Sequence, residues 1–368
     1  MQTIGGRSGR IIAIDIARAL AIIGVVFNHT VDGLVASGIV DDSSTIAAFN
    51  RALYVFRMPA LAFVLGLFMA RAAEKRGTAG YIREKVTFAL YIYLVWFVIQ
   101  TLVEIATSSL KNSPRGWDSL LEVWAMPAHL WFMPFLAVSA VVVSIAAPWR
   151  SSARAATAVA LVGVGSVLAW GWNPAIFGLR GLTLLVFTMA GATIGAKRLG
   201  AAMEVNFIGW VSFGLASFSG FILLHSAGIR PATLNSGGPY DLAANAFSAL
   251  AATLGIITLL TLAVILSRVP TLRSALRSVG TKTLEIYLAH VIIVAGTRIV
   301  LDKMGVSSEV VFILTAMILG IAAPLVLATL APRLHLKWLF ATPGPLGTWS
   351  KAANHQPGKR RVQHPVNG

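Results

Sequence analysis

Cysteine is absent from the 368 residues, which excludes disulfides, thiolate metal sites and a cysteine nucleophile. Charge is scarce as well. Asp, Glu, Lys and Arg make up 12% of the chain, about half of the roughly 25% that covers a water-soluble domain. There is no internal repeat, which counts against transporters built from repeated halves, and no stretch reads as an attached soluble domain. Apolar side chains fill the sequence instead, at 57% of residues and a mean hydropathy of +0.77. Only a bilayer acting as solvent accommodates that much apolar surface.

About ten apolar runs are long enough to span, each needing about 20 residues. They lie near 11–29, 49–70, 86–107, 129–147, 155–171, 178–196, 205–226, 243–267, 283–300 and 308–331. The fifth is the shortest, and its Gly163 and Gly165 read as small residues permitting close helix packing rather than as part of a phosphate loop. The predicted fold is therefore all-α, a polytopic transmembrane bundle over residues 1–340. A basic, Pro/Gly-rich tail follows over 341–368, expected to be disordered and held near anionic lipid.

The net charge of +16 does not indicate nucleic acid, because the basic residues fall in short clusters between apolar runs rather than on one aromatic-interleaved face. Their distribution alternates. One set of connections holds Arg7 and Arg10, then Arg71, Lys75, Arg76, Arg83 and Lys85. It continues with Arg150, Arg154, Lys197, Arg198, Arg268, Arg273, Arg277 and Lys282, and the tail adds Arg333, Lys337, Lys351, Lys359, Arg360 and Arg361. The other set holds Arg51, Lys111, Arg115, Arg180, Arg230 and Lys303. The positive-inside rule then places both termini in the cytoplasm of a multi-pass plasma-membrane protein. The first run holds Asp15, Arg18 and His29 and makes a poor signal-peptide core, so it is expected to be retained.

Ionisable groups within a span cost some 2.5–3.5 kcal/mol each on insertion scales and are functional candidates by default. Arg18 and His29 stand eleven positions apart, which at about 100° per residue returns to within roughly 20° of one direction and separates them by about 16 Å along the axis. Asp15 shares that face and is placed to pair with Arg18. Such a stripe has an anion-binding end inside and an imidazole outside. From physics alone it suits transbilayer chemistry and a structural ion pair with an interfacial His equally well. Arg57 lies in the outer half of the second run before Met-Pro, His129 and Trp131 open the fourth, and His290 falls near mid-membrane. Glu285, one turn after Lys282, reads as a cytoplasmic-end ion pair. His225, His335, His355 and His364 receive no role.

The segment RIIAIDIARALAIIGVVFNH resembles the opening helix of the acyltransferase-3 family of membrane acyltransferases, with its Arg, ten residues and a His. FRMPALAFVLG (56–66), HLWFMPFL (129–136) and LEIYLAHVIIV (284–294) are similar to further family segments in the same order, and the resemblance covers about residues 10–330. Three positions depart from the pattern: Arg57 replaces a frequent His, no Pro follows Arg83 and Lys85, and Glu285 stands for a common Ser.

The resemblance implies transfer of acetyl, succinyl or related acyl groups from a cytoplasmic thioester onto hydroxyls of sugars, glycolipids, polysaccharides or antibiotics. The co-substrate would be acyl-CoA, most simply acetyl-CoA, with no bound cofactor and no metal. The site expected on this reading has His29 as general base, oriented by Asp32 if the first helix continues another turn, and Arg18 with Asp15 as donor contacts. Arg57, His129, Trp131 and His290 are the acceptor or oxyanion contacts. The competing class is a transporter or lipid-linked sugar flippase using the same buried charges.

Overall fold

A computed structural model of the chain describes residues 12–108, 116–126, 129–235 and 241–343. All the regular elements among them are helical. The first four are α1 (Ile12–Ala36), α2 (Thr45–Leu67), α3 (Met69–Arg76) and α4 (Thr78–Ala106). The middle of the chain forms α5 (Phe132–Ala146), α6 (Ser152–Leu168), α7 (Leu185–Ile194), α8 (Ala196–Val205) and α9 (Phe207–Ser226). The last four are α10 (Leu242–Leu266), α11 (Pro270–Thr281), α12 (Thr283–Lys303) and α13 (Glu309–Leu330).

Eight helical segments are long and apolar enough to cross a membrane, and nine if one bent pair counts as a single span. The chain is a polytopic helical membrane protein. Two of the ten expected runs take modified forms. The run at 178–196 is broken, with Leu182–Ile194 and α8 meeting at 72°. Gly195, at φ 73°, makes the corner that an L side chain would resist. The run at 155–171 becomes α6, whose 17 residues reach only about 26 Å against a hydrocarbon core of about 30 Å.

At the centre of the bundle α1 packs against α2, α10, α11, α12 and α13. Its alanines at 13, 17, 19 and 21 are buried, and small side chains let backbones approach where no hydrophobic effect drives helices together in lipid. The periphery looks different: on α9, Ile208, Leu215 and Leu223 are exposed, as a lipid-facing surface requires.

Glycine marks close contact, but at other positions than 163 and 165. A Cβ on Gly163 would meet only Val186 at an ordinary 3.8 Å, and one on Gly165 would face open space. The close approach lies between α2 and α7. A Cβ on Gly66 would run into the Thr188 carbonyl, and one on Gly191 into that of Phe63. Gly280 on α11 likewise fits directly over the Asp15 carbonyl of α1.

At the basic end Arg76 Nε pairs with Glu84 at 2.7 Å, tying α3 to α4, and Lys282 Nζ pairs with Glu285 at 3.1 Å, as expected for that end of α12. Packed structure continues past residue 340, where Trp96 Nε1 donates to the Leu339 carbonyl at 2.7 Å and Thr342 is fully buried. The expectations for Arg7, Arg10, Lys111, Arg115, His355, His364 and the tail from 344 onward lie outside the described residues.

The Lys/Arg asymmetry makes a testable statement about orientation. Reporter fusions at positions 76, 154, 197 and 273 should read as cytoplasmic, and fusions at 51 and 230 as external. A cytoplasmic signal at 230, or an external one at 76, would refute the orientation.

Candidate functional site: two cavities meeting at histidines

The helix carrying the stripe is longer than its apolar run. α1 continues to Ala36, so His29 sits two turns inside the helix end, and not at its cap. Two cavities open along this helix. The one toward the basic end has a volume of about 340 Å³ and is lined by Arg18, Lys85 and Tyr81, with Thr283 and Tyr287 from α12 and apolar walls that include Phe132 and Met133. The one at the other end, about 270 Å³, is lined by His29, Asp32, Gly33, Arg298 and Phe312 among others. The two residues that share a face of α1 thus serve different cavities.

Three imidazoles stand together beside the second cavity. His29 comes from α1, His129 from the turn before α5 and His290 from α12. Their ring centroids lie 5.7 Å (29 to 129), 5.1 Å (29 to 290) and 5.0 Å (129 to 290) apart. His129 is 3% exposed and His290 fully buried. The Tyr287 ring, which lines the first cavity, lies 5.0 Å from that of His129. This cluster of three histidines and a tyrosine therefore joins the two cavities. Among the described residues no group of three or more His, Asp or Glu side chains has the geometry to hold a metal ion.

Hydrogen bonds orient these rings. His290 Nδ1 lies 2.9 Å from the Ile286 carbonyl and 2.8 Å from that of Tyr287. Carbonyls only accept, so Nδ1 carries the proton and Nε2 the lone pair. The Tyr287 hydroxyl donates to the His129 carbonyl and anchors that turn. Gln100 Nε2 on α4 is 3.3 Å from His129 Nε2 and 3.4 Å from the Leu288 carbonyl.

A buried polar chain supports the wall beside Asp32. Arg57 Nη1 donates to Asn50 Oδ1 at 3.2 Å, and Asn50 Nδ2 donates to Asp32 Oδ1 at 2.8 Å and Asn28 Oδ1 at 3.2 Å. Asn50 so bridges a guanidinium and a carboxylate that would otherwise be stranded in an apolar interior. Arg57 is 3% exposed and stacks on the Tyr54 ring at 3.9 Å. Asp32 shares the second cavity with His29, but its carboxylate is engaged by Asn50, and among the described residues it makes no hydrogen bond to His29.

The other expected residues are placed as follows. Arg18 Nη2 donates to Thr283 Oγ1 at 3.1 Å. Asp15 Oδ2 is 4.0 Å from Arg277 Nε of α11. Trp131 is buried beneath the loop before α7, with the Arg180 guanidinium 5.6 Å from its ring centre and Gly181 packed on its edge. It lines neither cavity. Sequence reasoning missed Gln100, Asn50, Tyr287 and Arg298. Arg298 Nη1 donates to the Gly33 carbonyl at 2.6 Å inside the second cavity. A polar residue within an apolar run was the available signal for Gln100 and Arg298.

The profile of a family described as an acyltransferase domain, the acyltransferase-3 family, matches residues 11–329. No curated protein and no solved structure matches the chain.

Proposed function

Since the chain belongs to the acyltransferase-3 family and is a multi-pass membrane acyltransferase, we propose that it moves an acetyl or related acyl group from cytoplasmic acyl-CoA to a hydroxyl on a carbohydrate, glycolipid or natural-product acceptor. The observation that supports this reading is the pair of cavities on opposite sides of the histidine cluster, one holding Arg18 and the other His29. On this reading Arg18, with Asp15 near the same helix end, meets an anionic part of the donor in the inner cavity, where Lys85 adds a second cation. The acceptor occupies the outer cavity.

The chemistry balances simply. His29 takes the hydroxyl proton, the acceptor oxygen attacks the thioester carbon, a C–O bond forms, and the C–S bond breaks to release the CoA thiolate. Asp32 acts through the Asn50 and Asn28 amides that border the outer cavity, and Arg57 holds those amides in place. The test is thiol release from acetyl-CoA by the purified protein in lipid nanodiscs with a candidate sugar acceptor, paired with mass spectrometry of the acceptor. A gain of one acyl mass supports the reading. Gradient-dependent uptake with no modified acceptor would favour the transporter.

Arg18 yields a narrower prediction. A forked guanidinium contact to a phosphate or carboxylate is lost in Arg18→Lys although the charge is kept. The donor KM should rise about tenfold, close to 1.4 kcal/mol, with kcat changed less. Unaltered donor KM would leave Arg18 as a structural partner of Thr283.

A further inference from the structure

The polar groups of the histidine cluster can be assigned one by one, and the assignment leaves one donor over. The Leu288 carbonyl only accepts, so the group that Gln100 turns toward it is its NH₂. The same nitrogen faces His129 Nε2, so that ring atom is the acceptor and bears the lone pair. The His129 proton therefore sits on Nδ1. That atom is buried and has no hydrogen-bond partner. The cluster's other donors are committed: Tyr287 Oη to the His129 carbonyl, His290 Nδ1 to two backbone carbonyls, and Gln100 Nε2 to His129 and Leu288. His290 Nε2 is also buried without a partner, but it is an acceptor.

A buried N–H with no acceptor costs about 1–3 kcal/mol. Such a group, held rigid from behind in a dry setting, is what stabilises charge that exists only transiently. His129 stands between the Tyr287 ring of the inner cavity and the His29 ring of the outer one, 5.0 and 5.7 Å away. There the donor's acyl carbon and the acceptor's oxygen have to meet.

We propose that His129 is a catalytic residue whose Nδ1–H binds the thioester carbonyl oxygen as it becomes the oxyanion, and that Gln100 is the positioning residue that keeps the proton on Nδ1. This rests on the acyl-transfer reading above. When the acceptor oxygen attacks, the carbonyl π pair moves onto that oxygen. The intermediate then re-forms the carbonyl and expels the thiolate, while His129 keeps its proton throughout. The acid–base work stays with His29, and the committed Nδ1–H of His290 leaves that residue no donor to offer.

The side-chain amide of Asn reproduces an Nδ1–H donor, whereas that of Gln reaches the place of Nε2. His129→Ala should lower kcat about 10²–10³-fold, with both KM values within a few-fold. His129→Asn should recover to within about tenfold of the parent, and His129→Gln should not. Gln100→Glu presents an acceptor to Nε2 and draws the proton there, so it should resemble His129→Ala. The ¹⁵N shifts of labelled histidine should show the tautomer changing from Nδ1–H to Nε2–H. If His129→Ala fails to fold, the Asn and Gln pair decides between donor and filler. Equal activity of the Asn and Gln variants, or Nε2–H in the parent, would overturn the inference while leaving transfer by the parent protein intact. A parent protein that transfers no acyl group would instead remove the reading on which the inference rests.

Discussion

Replacing His29 by Ala is expected to lower turnover by about 10²–10⁴, the usual worth of one positioned base. His29 lines the outer cavity, lies within 5.7 Å of two other imidazoles by ring centre, and stands about three turns from Arg18 on the same helix. Donor binding should therefore persist. His29 makes no hydrogen bond among the described residues, so its truncation strands no partner, and the variant should insert and fold. The decisive design measures ester formation and acyl-CoA binding on one purified sample. Lost chemistry with retained donor affinity identifies the base. Full activity would remove His29 from the mechanism and return attention to transport.

The second large effect concerns stability. Asn50→Leu should destabilise the bundle by about 3–5 kcal/mol, the range seen when one member of a buried charged network is removed. The variant leaves Arg57 Nη1 without the amide oxygen it meets at 3.2 Å and Asp32 Oδ1 without the donor it meets at 2.8 Å. Both Asn50 and Arg57 are 3% exposed, so water does not readily replace the lost contacts. Thermal unfolding of the detergent-solubilised protein would show the loss as a lowered midpoint. An unchanged midpoint would mean that Arg57 and Asp32 find each other directly.

The helices and the α1 stripe were legible because each depends on spacing within a single run. Asp15, Arg18 and His29 could be placed on one face by arithmetic alone, and the two cavities respect that arithmetic. The residues that orient the site were not legible in the same way. Gln100 acts on a carbonyl 188 positions away and Asn50 on a carboxylate 18 positions back. A single sequence carries no register between helices that would pair them.

Glycine shows the same limit. Gly163 and Gly66 read alike within apolar runs, yet only Gly66 meets a neighbouring backbone. Arg180 was assigned to an outer connection from charge counting, whereas it reaches back over Trp131. His129 likewise looked interfacial beside a Trp, and the Tyr287 and Gln100 contacts explain why it is buried instead.

The histidine cluster between the cavities also has an electrical consequence. On the proposed mechanism only a neutral acyl fragment crosses it, and the polyanionic carrier stays where it entered. The proton and the thiolate, however, are produced on opposite sides. The hydroxyl proton appears at His29 in the outer cavity, and sulfur leaves from the inner one. If that proton departs outward, each turnover separates one elementary charge across the membrane. Moving one charge through 100 mV is worth about 2.3 kcal/mol. An inside-negative potential would oppose that step, and collapsing it with an ionophore in proteoliposomes should speed turnover. The reaction would then be a small generator as well as a synthesis, with acyl-CoA as its fuel.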